Sequence, residues 1–421
     1  MSRSSIHKIL QLASLVQNII NIIDRICLYG FFSAVRVVFR YFFHLKLYMN
    51  KSLNFNLVKR LAYLIVLLSF IANGFATNRK TENLILITLD GLRYQELFNG
   101  LDLGVLKATT KSKKLDESKS YKKFWAETPK QRREKLMPFF WGEWMKNQGS
   151  VAGNPKKGSL VRLSNRLHFS YPGYSEILTG RARDDLIKSN DKVLNPNPTV
   201  LEFLRNKLQL NQKEVAAFAS WDVIGVAVQQ ISGAVFTNAG YESYSHSNPD
   251  IQALNKLQFE MLTPWDSVRH DEITFRFAMT HLKSYRPRVL YLSLGETDDW
   301  AHDKRYDRVL AAISRFDSYF VELWDWLQSD SMYRNKTTIL ITTDHGRGDI
   351  ALNWHTHSAQ IKDSKNTWLA VISPDSPLRG EWEGGEPVVM DQIAATLCRF
   401  VGLDYSEQNP KAGKPIKTLF Q

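Results

Sequence analysis

The sequence predicts an α/β protein: a three-layer α/β/α sandwich around a mostly parallel central sheet. Continuous apolar runs, such as residues 83–89, are typical of strands that are buried on both faces of a parallel sheet. Segments with helical periodicity separate these runs, as expected for a doubly wound sheet. Acidic residues and histidines follow several of the runs directly, at the end of the sheet where such folds bind ligands.

The predicted strands are residues 83–89, 214–220, 289–294, 338–343 and 368–372. The clearest predicted helices are residues 199–208, 308–328 and 390–401. Residues 104–165 interrupt this alternation, because they are rich in lysine and carry a group of aromatic side chains. We therefore expect residues 104–165 to be an insertion that caps the sheet.

Composition excludes several classes of protein. The 421 residues are 44% hydrophobic and 23% charged, which does not fit a disordered chain, a collagen, a coiled coil or a polytopic membrane protein. Two cysteines exclude a disulfide scaffold and a cysteine-ligated zinc site. The net charge is +13, but residues 1–76 hold nine basic residues and one acidic residue, which accounts for +8 of it. Nucleic acid is therefore not expected as a partner.

Residues 49–76 have the pattern of a signal peptide, with a basic stretch, an apolar core and small residues at the end. The apolar core is shorter than the ~20 residues of a spanning helix, so cleavage is favoured over the alternative, a permanent membrane anchor. Residues 1–48 precede this complete signal as an N-terminal extension, and we expect translation to begin at Met49. Residues 77–421 are then one domain, exported to the periplasm or secreted, with membrane contact only through the N-terminal segment.

Acidic residues and histidines mark the ends of three predicted strands. Asp90 ends the first strand, and the pair Asp344 and His345 ends another. Asp298 and His302 follow a third strand, and their spacing of four places them on one face of a helix. Because the carboxyl ends of parallel strands meet at one edge, we expect these side chains to converge. Their oxygen and nitrogen atoms suit a hard or borderline divalent ion.

Ser170 is a candidate nucleophile. It precedes Pro172 and Gly173 in the segment HFSYPGYSEILTGR, where a helix is expected to begin, and free amides at a helix start suit an anion. The GxSxG pattern of histidine-activated hydrolases does not surround it, so activation by a metal ion that lowers the pKa of the hydroxyl is favoured. The alternative is that Ser170 only caps the helix.

Along the chain the motifs follow the order Asp90, Ser170, Asp298 with His302, and Asp344 with His345. This order resembles that of the alkaline phosphatase superfamily over roughly residues 83–403. The arrangement is most similar to its nucleotide pyrophosphatase/phosphodiesterase and metalloenzyme (phosphoglycerate mutase-like) branches. The resemblance implies an alkaline phosphatase-like fold and two divalent metal ions per chain, with Zn²⁺ favoured and Mn²⁺ as the alternative. It also implies cleavage of phosphate esters through a metal-activated Ser170 and a covalent phosphoseryl intermediate.

The resemblance also implies a ligand set for each ion. The residues implied around one ion are Asp90, Ser170, Asp344 and His345. Those implied around the other are Asp298, His302 and a later histidine of the segment WHTHS. His355 and His357 compete for this last position, and His357 is favoured because the small residue Ser358 follows it.

Two departures from family patterns narrow the range of expected substrate classes. Tyr174 stands where sulfatases have an arginine, and Asp90-Gly91 stands where they often have paired aspartates. No clear equivalent of the phosphate-binding arginine of bacterial alkaline phosphatases follows Ser170, and Arg93 and Arg347 are interpreted as surface or loop residues. A diester or phosphonate is therefore slightly favoured over a monoester.

The expected partner is a small phosphate ester or phosphonate, or the head group of a lipid or glycan. A phospho-transferase, a mutase and a sulfatase remain alternatives within the superfamily. A non-catalytic surface binding protein is the remaining alternative, and it is disfavoured because every expected ligand position is filled.

Overall fold

The structure is a computed structural model that describes residues 79–110 and 114–421. The N-terminal extension at 1–48 and the signal peptide at 49–76 lie outside the described residues, so both stay predictions. Asn78–Gln421 forms one compact unit. Within the described residues, no helix combines the length and apolarity that crossing a membrane requires.

The middle layer is a sheet of eight strands, counted over the described part of the chain. The strands in chain order are β1 Asn83–Leu89, β2 Gly149–Ala152, β3 Val161–Arg162, β4 Val215–Ala219, β5 Phe236–Ala239, β6 Val289–Leu294, β7 Thr337–Thr342, β8 Asn366–Thr367, β9 Leu369–Ile372, β10 Gly380–Glu381 and β11 Val388–Val389. The order in the large sheet is β10-β2-β9-β7-β1-β6-β4-β5, and β11, β3 and β8 form a small second sheet. At the centre, β1 pairs in parallel with β6 and with β7, whereas β9 runs antiparallel to both of its neighbours.

Helices cover both faces of this sheet. The α-helices of the described residues are α1 Tyr94–Asn99, α2 Leu103–Thr109, α3 Lys119–Phe124, α4 Pro129–Leu136, α5 Met145–Asn147, α6 Ser170–Thr179, α7 Val200–Lys207, α8 Ile224–Ala227, α9 Pro249–Glu260, α10 Asp271–Tyr285, α11 Glu296–His302, α12 Tyr306–Ser329 and α13 Ile393–Phe400. A π-helix spans Phe140–Trp144, and short 3-10 helices span Leu115–Glu117, Pro155–Lys157, Gln212–Glu214, Met390–Gln392, Tyr405–Glu407 and Lys417–Phe420.

Alternate side chains of each central strand enter two separate cores. In β1, Ile85 and Ile87 pack with the buried face of α12, whereas Leu84 and Leu86 pack with α6 and α13. Because successive side chains of a strand point to opposite faces, a strand that is apolar throughout needs helices on both sides. The predicted α/β class with a mostly parallel sheet is confirmed.

The predicted elements agree closely with the observed ones. The five predicted strands correspond to β1, β4, β6, β7 and β9, with ends that differ by at most one residue. The three predicted helices correspond to α7, to α12, and to α13 with the 3-10 turn before it. Helix α7 begins at a capping box in which Thr199 and Glu202 each satisfy the backbone N–H of the other.

Part of residues 104–165, predicted as an insertion, belongs to the large sheet and its core. Strand β2 pairs antiparallel with β9 inside the large sheet. The aromatic side chains of Phe140 and Trp144 are buried in the same core as α12, where Trp144 packs edge-on against Trp324 with ring centroids 5.2 Å apart. The aromatic residues of this segment are therefore packing residues. Its additional role as a cap beside the site stays a prediction.

Candidate active site

The predicted site residues meet at the carboxyl edge of three neighbouring strands. Asp90 follows β1, Asp298 lies in the first turn of α11 after β6, and Asp344 and His345 follow β7. Because β6, β1 and β7 are adjacent and parallel, these three loops emerge side by side. Helix α6 brings Ser170 to the same place.

Two glycines allow this close approach. Gly173 lies in the first turn of α6, and a Cβ atom there would overlap the carbonyl oxygen of Asp344. Gly91 follows Asp90 with a φ of +57°, and a Cβ atom there would lie 2.5 Å from Oδ1 of Asp298. Glycine at these positions lets the start of α6 and the loop after β1 pack directly against the acidic residues.

His345 lies at the centre of an arrangement of hydrogen-bond acceptors. Its Nδ1 is 2.9 Å from the carbonyl oxygen of Gly346, to which it donates, so Nε2 carries a lone pair. This Nε2 lies 3.5 Å from Oδ1 of Asp90, 3.5 Å from Oδ2 of Asp344 and 3.6 Å from Oδ1 of Asp298. Asp90 Oδ1 and Asp344 Oδ2 are buried and have no hydrogen-bond partner within the described residues. Acceptors that face one another without a donor repel, and a cation between them removes the repulsion.

The pKa values of these groups reflect the same excess of buried acceptors over donors. Burial raises the pKa of Asp344 to about 7, although the Gly91 N–H that donates to this carboxylate opposes the shift. Burial, followed by the charge of Asp344, raises the pKa of Asp90 well above its usual range. Burial also lowers the pKa of His345. All three shifts disfavour an unneutralised charge at this edge.

A second group of side chains adjoins the first. His302 Nε2 lies 3.1 Å from Asp298 Oδ2 and 3.1 Å from His357 Nε2. His357 Nε2 is 3.9 Å from Asp298 Oδ1, and its ring stacks on that of His345 with centroids 3.8 Å apart. The His302 side chain is 48% exposed, so this group opens to solvent.

The structure brings His357, and not His355, to this second group. The residue His355 contributes its backbone carbonyl, which accepts a hydrogen bond of 2.5 Å from Nη1 of Arg347. The imidazole of His357 is the one that points at Asp298 and His302. The role of His357 as a metal ligand stays a prediction.

Ser170 is 5% exposed, and its Oγ lies 3.4 Å from His345 Nε2. It is the first residue of α6, and the N-cap residue is Phe169, so Ser170 does not occupy the capping position. Fewer free backbone N–H groups than expected are present at this helix start. The N–H of Tyr171 donates to Oδ1 of Asn190, and Pro172 has no N–H.

Arg93 and Arg347 lie in loops, as expected, but neither is a surface residue, because each is only 2% exposed. Arg347 donates to the carboxylate of Asp298 and to the backbone carbonyls of Gly91 (3.2 Å), Asp298 (3.1 Å) and His355 (2.5 Å). Arg93 forms an ion pair with Glu96 and donates to a backbone carbonyl at 2.8 Å. Both guanidinium groups are committed to protein acceptors. Burial lowers the pKa of Arg347 to about 9.

Sequence reasoning missed several residues that shape the site. The hydroxyl of Tyr174 donates to Asp90 Oδ2 at 2.9 Å, and the hydroxyl of Thr297 donates to the Asp90 carbonyl at 2.6 Å. Tyr174 is four residues after Ser170, so the helical spacing alone places both on one face of α6. Thr297 and Asn190 carried no comparable signal, because only the fold brings them to Asp90 and to the backbone of Tyr171.

The residues present fit divalent cations. Two groups offer ligand atoms within 4.8 Å of one another: Asp90, Asp344 and His345 form one, and Asp298, His345 and His357 form the other. Within the part of the chain that the structure describes, three buried carboxylates face the guanidinium of Arg347, and two of their oxygens have no partner. Carboxylate and imidazole ligands together suit zinc and manganese.

The sandwich and the residues at its edge define the class as that of the alkaline phosphatase superfamily. The sequence model of the family described as "Type I phosphodiesterase / nucleotide pyrophosphatase" matches residues 169–390, which is more than half of the chain. This chain belongs to the type I phosphodiesterase / nucleotide pyrophosphatase family, which identifies it as a phosphoester hydrolase of that superfamily. The resemblance inferred from the motifs is confirmed.

Solved structures of the alkaline phosphatase PafA agree on the fold. The wild-type alkaline phosphatase PafA is 10% identical, with 82% of this chain and 100% of that chain covered and a TM-score of 0.51. A quadruple mutant of PafA is 11% identical, with the same coverage and a TM-score of 0.52. The phosphonate monoester hydrolase SpPMH from Silicibacter pomeroyi is 11% identical, with 81% and 76% covered and a TM-score of 0.48. Comparison with curated proteins found no match.

Replacing Gly173 by alanine tests the close approach of α6 to Asp344. The added methyl group must push the helix start away from the Asp344 carbonyl, which displaces Ser170. We expect hydrolysis of a nitrophenyl phosphate ester to fall roughly 100-fold. Gly142→Ala is the matched control, because a Cβ atom there meets nothing within 4 Å. Equal activity of the two variants would contradict this account.

Metal uptake by the metal-free chain should depend on pH. Asp344 has a raised pKa of about 7 and is largely protonated below that pH, so a cation must displace its proton. Zinc affinity is therefore expected to rise with pH between about 6 and 8, with proton release on binding. Calorimetry in two buffers of different ionisation enthalpy measures the released protons. Asp344→Asn should reduce their number, and an unchanged number would count against this assignment.

Proposed function

We propose that this chain is a metal-dependent hydrolase of phosphate esters that uses Ser170 as its nucleophile. The observation that carries the proposal is the arrangement around His345. Oxygens of three aspartates converge on its Nε2, two of these oxygens lack any partner within the described residues, and a buried hydroxyl lies 3.4 Å from the same atom. Cations would neutralise this arrangement, and the hydroxyl beside it supports Ser170 as the nucleophile.

Two divalent ions are proposed, with zinc favoured and manganese as the alternative. The residues proposed to hold one ion are Asp90, Ser170, Asp344 and His345. Those proposed for the other are Asp298, His302 and His357. When bound, the ions supply positive charge that lowers the pKa of the serine hydroxyl and stabilises charge on the ester oxygens.

The protein's own groups position the nucleophile and the ester. Ser170 Oγ attacks phosphorus, the alcohol leaves with its oxygen, and the phosphoryl group remains on the serine as a phosphoseryl intermediate. Water then attacks the same phosphorus and restores Ser170. A monoester substrate thus gives inorganic phosphate, and a diester substrate gives a phosphate monoester. Tyr174 holds Oδ2 of Asp90 by a hydrogen bond of 2.9 Å, so that Oδ1 is directed towards His345. The close contact of Gly173 with Asp344 fixes the start of α6.

The charge balance of the site favours a phosphate diester, or a phosphonate in its ester form, over a phosphate monoester. A monoester dianion brings one more negative charge, and a guanidinium group that binds phosphate is a common way to offset it. Arg93 and Arg347 cannot offer this contact without giving up their carboxylate and carbonyl partners. We further propose that the enzyme is exported and acts on a small molecule or on the head group of a lipid or glycan.

A panel of nitrophenyl esters tests the reaction. We expect the zinc- or manganese-loaded chain to hydrolyse a phosphate diester faster than the matched monoester and sulfate ester, and a chelator to abolish turnover. Faster turnover of the sulfate ester would overturn the substrate class. Turnover that persists in chelator would overturn the metal dependence. No turnover of any ester by a chain with two bound metals would favour a transferase or a binding protein.

Ser170→Ala tests the nucleophile. Loss of the hydroxyl removes the covalent route, so kcat is expected to fall by at least about a thousandfold. Ser175→Ala is the matched control, because Ser175 is buried in the same helix and its Oγ contacts Asn195 instead of the site. In the wild-type enzyme, rapid acid quenching during turnover followed by mass spectrometry should detect the phosphoryl group on Ser170. Full activity of Ser170→Ala would show that the serine is not the nucleophile.

A further inference from the structure

The orientation of His357 is set by a backbone carbonyl. Its Nδ1 lies 3.1 Å from the carbonyl oxygen of His168, and because a carbonyl only accepts, Nδ1 carries the proton. Nε2 is therefore the lone-pair nitrogen, and it faces Asp298 and His302. A hydrogen bond at the far nitrogen of a ligating histidine fixes both its tautomer and its ring orientation.

The carbonyl of His168 points at His357 because the chain makes an unusual turn there. His168 has a φ of +54°, a left-handed conformation that is uncommon outside glycine, although histidine adopts it more often than most other residues do. The side chain of Asn165 stabilises this turn, since its Oδ1 accepts the backbone N–H groups of Leu167 (3.1 Å) and His168 (2.9 Å). The strain at His168 is thus maintained by Asn165.

Asn165 is in turn fixed by Glu176, a fully buried residue of α6. Oε2 of Glu176 accepts the backbone N–H and the side-chain amide of Asn165, both at 2.8 Å. Oε1 accepts the backbone N–H of Ser164 at 2.7 Å and its hydroxyl at 2.9 Å. Four donors therefore converge on one carboxylate, and together they attach the loop of residues 164–168 to the helix that begins with Ser170.

We propose that Glu176 and Asn165 are positioning residues for the metal site, acting through the His168 carbonyl to orient His357. This inference rests on the proposed function, because it assigns to His357 the role of a metal ligand. Glu176 touches neither the ligands nor Ser170 in any hydrogen bond of the described residues, so its effect on the site is indirect.

The geometry explains why a carboxylate is needed at position 176. An ionised glutamate offers acceptors on both oxygens, which matches four donors that approach in two pairs. Glutamine would keep one oxygen and turn an NH2 group towards the other pair of donors, where both would be left unsatisfied. Burial raises the pKa of Glu176 to about 7, and the four donated hydrogen bonds oppose that shift.

One helix consequently serves both halves of the site. Ser170 at the start of α6 lies 3.4 Å from His345, and Glu176 in the same helix holds the loop that orients His357. A displacement of α6 would therefore move the nucleophile and a proposed ligand of the other ion together. The loop between β3 and α6 is short, so the two functions are also linked along the chain.

Zinc titration of the metal-free full-length chain by calorimetry tests the inference. Wild type is expected to bind two zinc ions. Glu176→Gln is expected to bind one of them roughly 10- to 100-fold more weakly, with the other little changed. The visible absorption of Co²⁺ at the weakened site should change as well, which a general loss of stability would not produce. Asp317→Asn is the matched control, because Asp317 is buried and accepts only the backbone N–H groups of Phe139 and Phe140.

A second pair of variants keeps the test valid if Glu176→Gln does not fold. His168→Gly retains the carbonyl and favours a positive φ, so it should keep the zinc affinity of wild type. His168→Val disfavours the left-handed turn and should weaken the same site as Glu176→Gln. If wild type binds neither zinc nor manganese, the proposed function itself fails. The other decisive outcome is that wild type binds two ions and that His168→Val and every folded Glu176 variant bind both as tightly as wild type does. The positioning role is then overturned, while the proposed function stands.

Discussion

The buried carboxylates of Asp90, Asp298 and Asp344 are the constraint on which the rest of the site depends. Buried charges of one sign are costly unless a partner neutralises them. Arg347 supplies one positive charge from within the protein, through its contact with Asp298. Asp90 Oδ1 and Asp344 Oδ2 have no such partner in the described chain, and both side chains are nearly inaccessible to solvent. Folding of this edge and binding of the proposed cations would therefore be linked, because the ions would offset the cost of burying these charges.

Rigid supports hold these carboxylates in place. Arg347 bonds to the backbone at Gly91, Asp298 and His355, and so joins the three segments that follow β1, β6 and β7. On the other side of the site, α6 presses against the Asp344 carbonyl at Gly173. Ligands supported by packed segments lose little conformational freedom when an ion binds, which favours affinity and a fixed geometry.

The central strands and their terminal residues could be predicted because burial on both faces leaves a continuous apolar run in the sequence. The parallel topology then places Asp90, Asp298 and Asp344 at one edge without any knowledge of side-chain contacts. Strands β2 and β10 were not predicted, because their sequences GSVA and GE contain no continuous apolar run, whereas β9, as short as β2, is apolar throughout as LAVI. The burial of Arg347 was not predicted either, because its local sequence carries no signal of burial. An arginine in a polar loop has the same local sequence whether it meets solvent or Asp298, and only the tertiary fold decides between them.

The same tertiary contacts bear on what the site can bind. In a site with a free arginine, the guanidinium shares with the metal ions the task of neutralising a phosphate group. Here Arg93 and Arg347 are already bound to Glu96 and Asp298, and Tyr174 contributes a neutral hydroxyl that donates to Asp90. The negative charge of a substrate would then be offset mainly by the ions. A substrate with a single negative charge demands less from such a site than a dianion does, and the committed arginines therefore bear on substrate class as well as on stability.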